Sequence, residues 1–249
     1  MALKKGDFAL INFTSRIKES DEIIETTLEE VAKEAGLHRA ENIYEPHFVV
    51  VGEGWVPRGL DEALVNLEAG EEKTVEVPPE KGFGQRDPAK MKLIPIRRFK
   101  NERFTPVPGA RIEIDGRSAL VRSVGAGRVQ VDFNHPLAGK TLIYNVKLEK
   151  TLESSEDKVK AVIHRRIPVP PIDRFKVALS QSGCTIEIPQ EAFLVEGLQL
   201  MKRAISTDLL KLMPELVAVT FTETFRRPEA ASEARPSEAA SSTGTATNP

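Results

Sequence analysis

The sequence predicts an α+β protein that is built from more than one compact module. Its 249 residues exceed the length of one ordinary domain, and 40% of them are hydrophobic, which is enough for packed cores. Apolar and polar residues alternate along several short segments, a pattern typical of strands. Residues 60–67 and 198–212 instead carry apolar residues at helical spacing, so both segments are predicted to be amphipathic helices.

The first module is predicted to contain mostly strands. Residues 8–14 alternate as a strand does, a polar turn leads to a returning strand at Ile23 and Ile24, and residues 47–51 form another apolar segment. A helix is expected to start with Thr27 as its N-cap and to stop at Gly36.

A buried helix face follows in this module. It consists of the residues Leu60, Ala63, Leu64 and Leu67. Residues 73–77 alternate again and stop at two prolines, which is typical of a strand.

A small β-rich module is expected between residues 87 and 134. Proline breaks the chain there, and three short strands are predicted at residues 110–114, 119–124 and 128–133, with hairpin turns between them. A strongly alternating strand then resumes over residues 141–148.

The C-terminal third is predicted to be an α+β module. Residues 159–167 suit either a helix or a strand, a hairpin is expected about Ser182 and Gly183, and a strand follows the helix at residues 216–225. If that last strand lies on a sheet edge, it can pair with a second copy of the chain, so a homodimer through this module is a hypothesis. After Arg227 the composition predicts a disordered tail.

Several classes of function are disfavoured by composition. A net charge of −2 gives no basis for binding nucleic acid through bulk electrostatics. The single cysteine, Cys184, excludes an internal disulfide and fits a reducing compartment. No apolar stretch suits a signal peptide or a membrane span, so a cytoplasmic protein without a membrane partner is expected.

No cofactor or metal is expected either. The sequence has no phosphate-binding loop, no dinucleotide-binding glycine pattern and no pair of cysteines or histidines at metal-ligand spacing. Its four histidines are isolated from one another along the chain.

Three blocks of sequence stand out in a fixed order. They are residues 52–63, which begin Gly-Glu-Gly-Trp-Val-Pro-Arg-Gly-Leu, the tripeptide at residues 82–84, and residues 134–142, which begin Asn-His-Pro-Leu-Ala-Gly. In this order they resemble the FKBP family of peptidyl-prolyl cis-trans isomerases. The module between the second and third blocks resembles the SlyD-like subgroup, and the C-terminal module resembles the long archaeal members.

The resemblance implies an architecture. An antiparallel sheet wrapped on one helix would be assembled from residues 1–86 and 134–153 as the FKBP catalytic domain. Residues 87–133 would be an insert-in-flap chaperone domain, residues 154–227 a C-terminal α+β domain and residues 228–249 a disordered tail.

The resemblance also implies a set of catalytic positions and a neighbouring substrate contact at His47. The catalytic positions are Phe13, Ile24, Glu25, Val56, Pro57, Leu60, Phe83 and Tyr144.

Five of these positions depart from the usual family pattern. Ile24 and Glu25 replace an aromatic residue and an aspartate, and Phe83 lacks the hydroxyl of the usual tyrosine. Leu60 replaces a tryptophan, and Pro57 has no N–H to donate to a substrate carbonyl. We expect an apolar pocket with weak polar anchoring. Each of these apolar residues taken singly also suits a plain core position.

The insert is expected to hold unfolded chains on an exposed apolar patch, with about half of its apolar residues packed inside the module. By analogy its substrate-binding candidates are Leu93, Ile94, Ile96, Phe99 and Phe104, with Val107 beside them.

The sequence therefore predicts a peptidyl-prolyl cis-trans isomerase and folding chaperone that acts on unfolded or nascent polypeptides. Two alternatives stay open. One is a holdase chaperone with little or no isomerase activity, and the other is an assembly or ribosome-associated factor that uses the C-terminal module.

Overall fold

The structure, a computed structural model, describes residues 2–101 and 105–225. Within these residues the strands are β1 (Phe8–Ile17), β2 (Ile23–Thr26), β3 (His47–Val50), β4 (Glu72–Val77), β5 (Met91–Pro95), β6 (Arg111–Ile114), β7 (Arg117–Gly125), β8 (Arg128–Asp132), β9 (Leu142–Leu152), β10 (Lys176–Leu179), β11 (Gly183–Ile188) and β12 (Ala218–Glu223). The α-helices are α1 (Glu29–Glu34), α2 (Arg58–Leu64), α3 (Ser155–Arg166) and α4 (Leu198–Leu212). The predicted α+β class is confirmed.

A five-stranded antiparallel sheet forms the first part of the molecule. Its main order is β2-β1-β9-β4, and β3 also pairs with β1. Alternate side chains of β1, among them Ile11 and Phe13, face the core that contains Leu60 and Leu64 of α2. Gly59 permits the close approach of α2 to β4, because a Cβ at this position would lie 2.9 Å from Val77 Cγ1.

Two details of the predicted helices are wrong. The N-cap of α1 is Leu28, because the Thr27 hydroxyl is taken by the Asn12 side chain of β1 at 2.8 Å. Helix α2 ends at Leu64 rather than Leu67. Asn66 has a φ of 68°, and Leu3 pairs with this segment by donating its N–H to the Leu67 carbonyl at 2.9 Å.

The insert is a four-stranded antiparallel sheet in the order β5-β8-β7-β6, so β5 and β6 are its edges. The sequence did not predict β5, which ends at Pro95. Proline is compatible with an edge strand, where one row of N–H groups is unpaired. Side chains from all four strands, including Ile94, Ile112, Val121 and Val129, form a separate small core.

The C-terminal part contains a three-stranded sheet, β10-β11-β12, packed with α3 and α4. The segment 159–167, for which helix and strand were both open, lies in α3, which begins at Ser155 with Ser154 as its N-cap and ends at Arg166. The hairpin about residues 182–183 is confirmed, and β12 runs parallel to β11 at a sheet edge.

The C-terminal part and the first sheet share one hydrophobic core. Phe8, Phe48 and Leu152 of that sheet belong to the same buried cluster as Val162 and Ile205 of the two helices. The tail predicted for residues 228–249 and the candidate Phe104 lie outside the described residues.

Candidate active site

The structure places most of the expected pocket positions in the core between the first sheet and α2. Phe13, Leu60 and Tyr144 are buried in this core. The partly buried side chains against it are Ile24, Val56, Ala63, Val65, Phe83 and Leu137. Residues from β1, β2, β9, α2 and the segment before the insert (residues 82–84, here called the flap) therefore belong to one apolar cluster.

The segment before α2 positions Val56 and Pro57. Pro57 precedes the helix, and its carbonyl accepts the N–H groups of Leu60 at 2.9 Å and Asp61 at 3.0 Å. Within the described part of the chain, the Val56 N–H has no hydrogen-bond partner. A backbone donor is thus left free next to the position where Pro57 removes one.

Asp61 holds the segment before α2 in place through two hydrogen bonds. Its carboxylate accepts the N–H of Gly52 at 2.8 Å and that of Gly54 at 3.1 Å, and the residue is only 8% exposed. Both glycines have positive φ, 86° and 67°, which the turn requires. The sequence analysis missed Asp61, although a carboxylate shortly after a glycine-rich turn is a signal that could have identified it.

Tyr144 lies at the centre of the site with Phe13, whose ring centroid is 5.8 Å away. Burial and the nearby charge of Glu25 raise the pKa of Tyr144 to about 12, and a hydrogen bond with Ser15 opposes this. The phenol is therefore neutral at physiological pH. Ser15 is fully buried and donates to the Glu25 carbonyl at 3.3 Å, which ties β2 to β1.

Glu25 and His47 lie at the rim of the pocket. The Glu25 side chain reaches solvent, yet desolvation by the atoms crowded around it raises its pKa. His47 packs edge-on against Phe13 at 6.0 Å. Burial lowers the pKa of His47, the Arg165 charge lowers it further, and Glu45 opposes both.

The flap presents Phe83 through a stack that the sequence did not reveal. Its ring is parallel to that of His135, with 4.4 Å between centroids and 3° between planes. Gly139 donates to the Gly84 carbonyl at 2.8 Å, which joins the loop after the insert to the segment before it. Phe83 has no hydroxyl, and its ring instead stacks on the imidazole of His135.

The structure divides the apolar residues of the insert into an exposed and a buried set. Leu93 and Ile96 are 60% and 38% exposed, but Ile94 and Phe99 are only 8% and 5% exposed and belong to the core of the insert. These two therefore pack inside the module, as expected for about half of the set, and are not part of an exposed patch. Ile94 faces inward because side chains alternate along β5.

Among the described residues, no group of three or more His, Cys, Asp or Glu side chains is placed to hold a metal ion. No helix in residues 2–101 and 105–225 is long and apolar enough to cross a membrane.

An antiparallel sheet packs on one helix around an apolar site, and a separate small domain is inserted into the chain between two strands of this sheet. These features define a protein of the FKBP class. Family models agree: one described as the FKBP26 IF domain matches residues 92–137, and one described as FKBP26 C-terminal matches residues 155–226.

Curated relatives extend the match to the first part of the chain. A short-type peptidyl-prolyl cis-trans isomerase of Methanocaldococcus jannaschii is 40% identical over 146 residues, which cover 59% of this chain and 92% of the relative. The SlyD isomerase of Treponema pallidum is 34% identical over 125 residues, 47% of this chain and 68% of its own. A probable 16 kDa FKBP-type isomerase of Pseudomonas fluorescens is 35% identical over 104 residues, 39% and 67% of the two chains.

The chain belongs to the family of FKBP-type peptidyl-prolyl cis-trans isomerases. The family and the enzyme class predicted from the sequence are confirmed.

Proposed function

We propose that this chain isomerises X-Pro bonds of unfolded or nascent polypeptides in the pocket around Tyr144, and that its insert holds those polypeptides as a chaperone. The observation that carries the proposal is the gathering of Phe13, Val56, Leu60 and Tyr144 from distant parts of the chain into one apolar site. We assign residues 1–86 and 134–153 to catalysis, 87–133 to client capture and 154–227 to a C-terminal domain.

The chemistry requires no reactive group. Rotation about an X-Pro bond is opposed by amide resonance, with a barrier of about 18–20 kcal/mol, and no bond is broken. The pocket has to bind the twisted amide more tightly than either planar form. A twisted amide has lost charge separation and is desolvated more easily, so an apolar site favours it. No nucleophile, metal or cofactor is needed for this step.

The pocket residues have different proposed roles. Ile24, Val56 and Leu60 would hold the proline ring by apolar contact. The free N–H of Val56 would donate to a substrate carbonyl, a role that Pro57 cannot fill. Phe83 on the flap would cover the ring and exclude water.

The chaperone role rests on the edge of the insert. Strand β5 is an edge strand of its sheet and carries the exposed Leu93. An extended client can add a strand to such an edge and place its apolar side chains against Leu93 and Ile96. Capture there would raise the local concentration of client prolines near the pocket.

Refolding of a protein whose slow step is proline isomerisation tests the proposal. Acceleration by substoichiometric protein supports catalysis. The departures at Glu25, Pro57 and Phe83 keep the holdase alternative in view, and it predicts suppressed aggregation without acceleration. Proteolysis-coupled isomerisation of a short X-Pro peptide gives an independent rate that does not depend on client capture.

Self-association is part of the proposal. The edge strand β12 is flanked by Val217 and Phe225, which are highly exposed. We expect a homodimer through this edge, and sedimentation equilibrium that gives the monomer mass at every concentration would reject it. The buried free Cys184 suits a reducing cytoplasm, and a net charge of −2 gives nucleic acid no bulk electrostatic attraction.

A further inference from the structure

A large cleft lies between the first sheet and the C-terminal domain, and the proposed function does not use it. Its volume is about 990 Å³, at the upper end of the range of roughly 300–1,000 Å³ for ligand pockets. One wall is the loop of residues 41–48, and the other is α3 with the proline-rich segment 168–173.

The cleft is continuous with the pocket. Phe13, Glu25 and His47, three of the expected pocket positions, also line it. Phe13 contacts Tyr144 on the pocket side and His47 on the cleft side, at 5.8 and 6.0 Å between ring centroids. Glu25 and His47 thus lie between the surroundings of Tyr144 and the cleft.

Both walls are held in place by specific contacts. In the loop, Tyr44 stacks on His38 at 5.3 Å, and its hydroxyl accepts the Arg39 N–H at 3.0 Å. Across the cleft, His164 of α3 bonds Glu45 at 2.6 Å. Walls fixed before the ligand arrives lower the ordering cost of binding.

The C-terminal domain also fixes the segment that carries Val56. The Arg165 guanidinium lies 3.9 Å from the centre of the Trp55 ring, and Lys211 of α4 forms an ion pair with Glu53. The C-terminal domain thus contacts the segment that carries Val56 and also forms one wall of the cleft.

The lining suits an extended polypeptide. Ile43, half exposed on the loop, faces a surface that also contains apolar groups of Ala161 and Ile172. Charged side chains of both signs, such as Glu41 and Lys150, surround these apolar groups. Mixed apolar and charged surface of this kind matches a client segment better than a small apolar ligand.

We propose that this cleft binds the segment of client polypeptide that flanks the proline being isomerised. The proposal rests on the proposed isomerase function, and it makes the C-terminal domain a contributor to substrate affinity. The cleft would recognise the length and the apolar content of the flank.

The test compares a blocked X-Pro tetrapeptide with versions lengthened by about eight residues on the amino or the carboxyl side, enough to span roughly 26 Å. With the full chain, we expect one of the two longer peptides to have a KM about tenfold lower, the change expected from burying one apolar side chain. Ile43→Ser should lower the ratio of kcat/KM between that peptide and the tetrapeptide about fivefold. The control Leu194→Ser removes an apolar side chain that is more exposed than Ile43 and does not line the cleft, and it should keep the ratio.

Four results would overturn the proposal. The first two are the absence of a gain for either longer peptide and an equal fall in kcat/KM on long and short peptides in Ile43→Ser. The third is loss of the gain in Leu93→Ser but not in Ile43→Ser, which assigns the gain to the insert. The fourth is a gain that varies with protein concentration, which assigns the cleft to a second copy of the chain. If the tetrapeptide is not isomerised at all, the proposed function fails instead. The affinity of a labelled long peptide is then compared between the wild type and Ile43→Ser, which tests binding in the cleft separately. Equal affinities would overturn the cleft proposal.

Discussion

The pocket buries Phe13, Leu60 and Tyr144 almost completely, whereas the insert leaves Leu93 more than half exposed on an edge strand. Buried polar anchors such as Asp61 and Ser15 hold the pocket, while the core of the insert is small and separate. The difference suits the two tasks proposed for these regions. Selecting a twisted amide requires fixed geometry, and capturing diverse clients requires accessible apolar surface on an edge that accepts another strand.

The largest expected effect comes from loosening the pocket. Asp61→Ala removes the acceptor of two N–H groups in the turn before Val56. We expect the free energy of unfolding to fall by about 2–3 kcal/mol and tetrapeptide isomerisation to fall at least about tenfold, because the segment that carries Val56 loses its position. Urea denaturation and a peptide assay measure the two effects.

Asp61→Asn is the matched control, since it keeps one acceptor oxygen and should give intermediate losses. If Asp61→Ala unfolds at the wild-type midpoint and keeps full activity, the view of the pocket as a rigid site is wrong.

The next effect concerns the junction between the two regions. Asp132, 2% exposed, pairs with Arg86 and Arg122 and accepts the Asn134 N–H at 3.0 Å. Asp132→Ala should cost about 1–3 kcal/mol and should reduce the acceleration of protein refolding more than that of peptide isomerisation. Asp132→Asn, which retains a side-chain acceptor, should lose less. Equal losses in both assays would show that the junction does not couple capture to catalysis.

A smaller effect is expected from polar substitution on the insert. The double variant Leu93→Ser and Ile96→Ser should weaken aggregation suppression severalfold, because it removes the exposed apolar surface beside β5. Light scattering of a denatured client measures this. The control Leu194→Ser and Leu200→Ser removes similarly exposed side chains from the C-terminal domain. A comparable loss in the control would remove any special role of the insert.

The smallest effect is on the pH dependence of stability at the pocket rim. Burial raises the pKa of Glu25 above 4.5, so folding favours its protonated form. The stabilisation that this group contributes is fully present below its ordinary pKa of 4.5 and is lost as the pH rises through its folded-state pKa. Glu25→Gln should therefore raise Tm slightly at pH 7, by about 1 °C and less than about 0.5 kcal/mol, and leave it unchanged at pH 4. A lower Tm at pH 7 would contradict the sign.

The sequence predicted strands well where alternation reflects one buried face, as in β1 and β9. It failed where distant residues decide the local structure. Leu3 donates its N–H to the Leu67 carbonyl, and α2 ends before this residue. Strand β5 forms by pairing with β8, which lies more than thirty residues later in the sequence, although β5 contains Pro95.

The pocket positions came from the resemblance, and the structure brings them together. The role of Asp61 had a local signal in the glycine-rich turn before it, which periodicity does not detect. Nothing local indicated the His135 stack or the Arg165 contact with Trp55, because each depends on residues that are distant in the sequence. Exposure within the insert was equally hidden, since Leu93 and Ile94 are both aliphatic and differ only in the face of the strand they occupy.

The base of the insert has a consequence for redesign of the enzyme. Asn134 accepts the Asp87 N–H at 2.9 Å and donates to the Asp87 carbonyl at 2.9 Å, so the chain enters and leaves the insert at adjacent points. A foreign module whose two ends lie equally close can be spliced between these points without stretching the catalytic sheet. Client range can therefore be exchanged, by natural recombination or by grafting, while the catalytic machinery is retained.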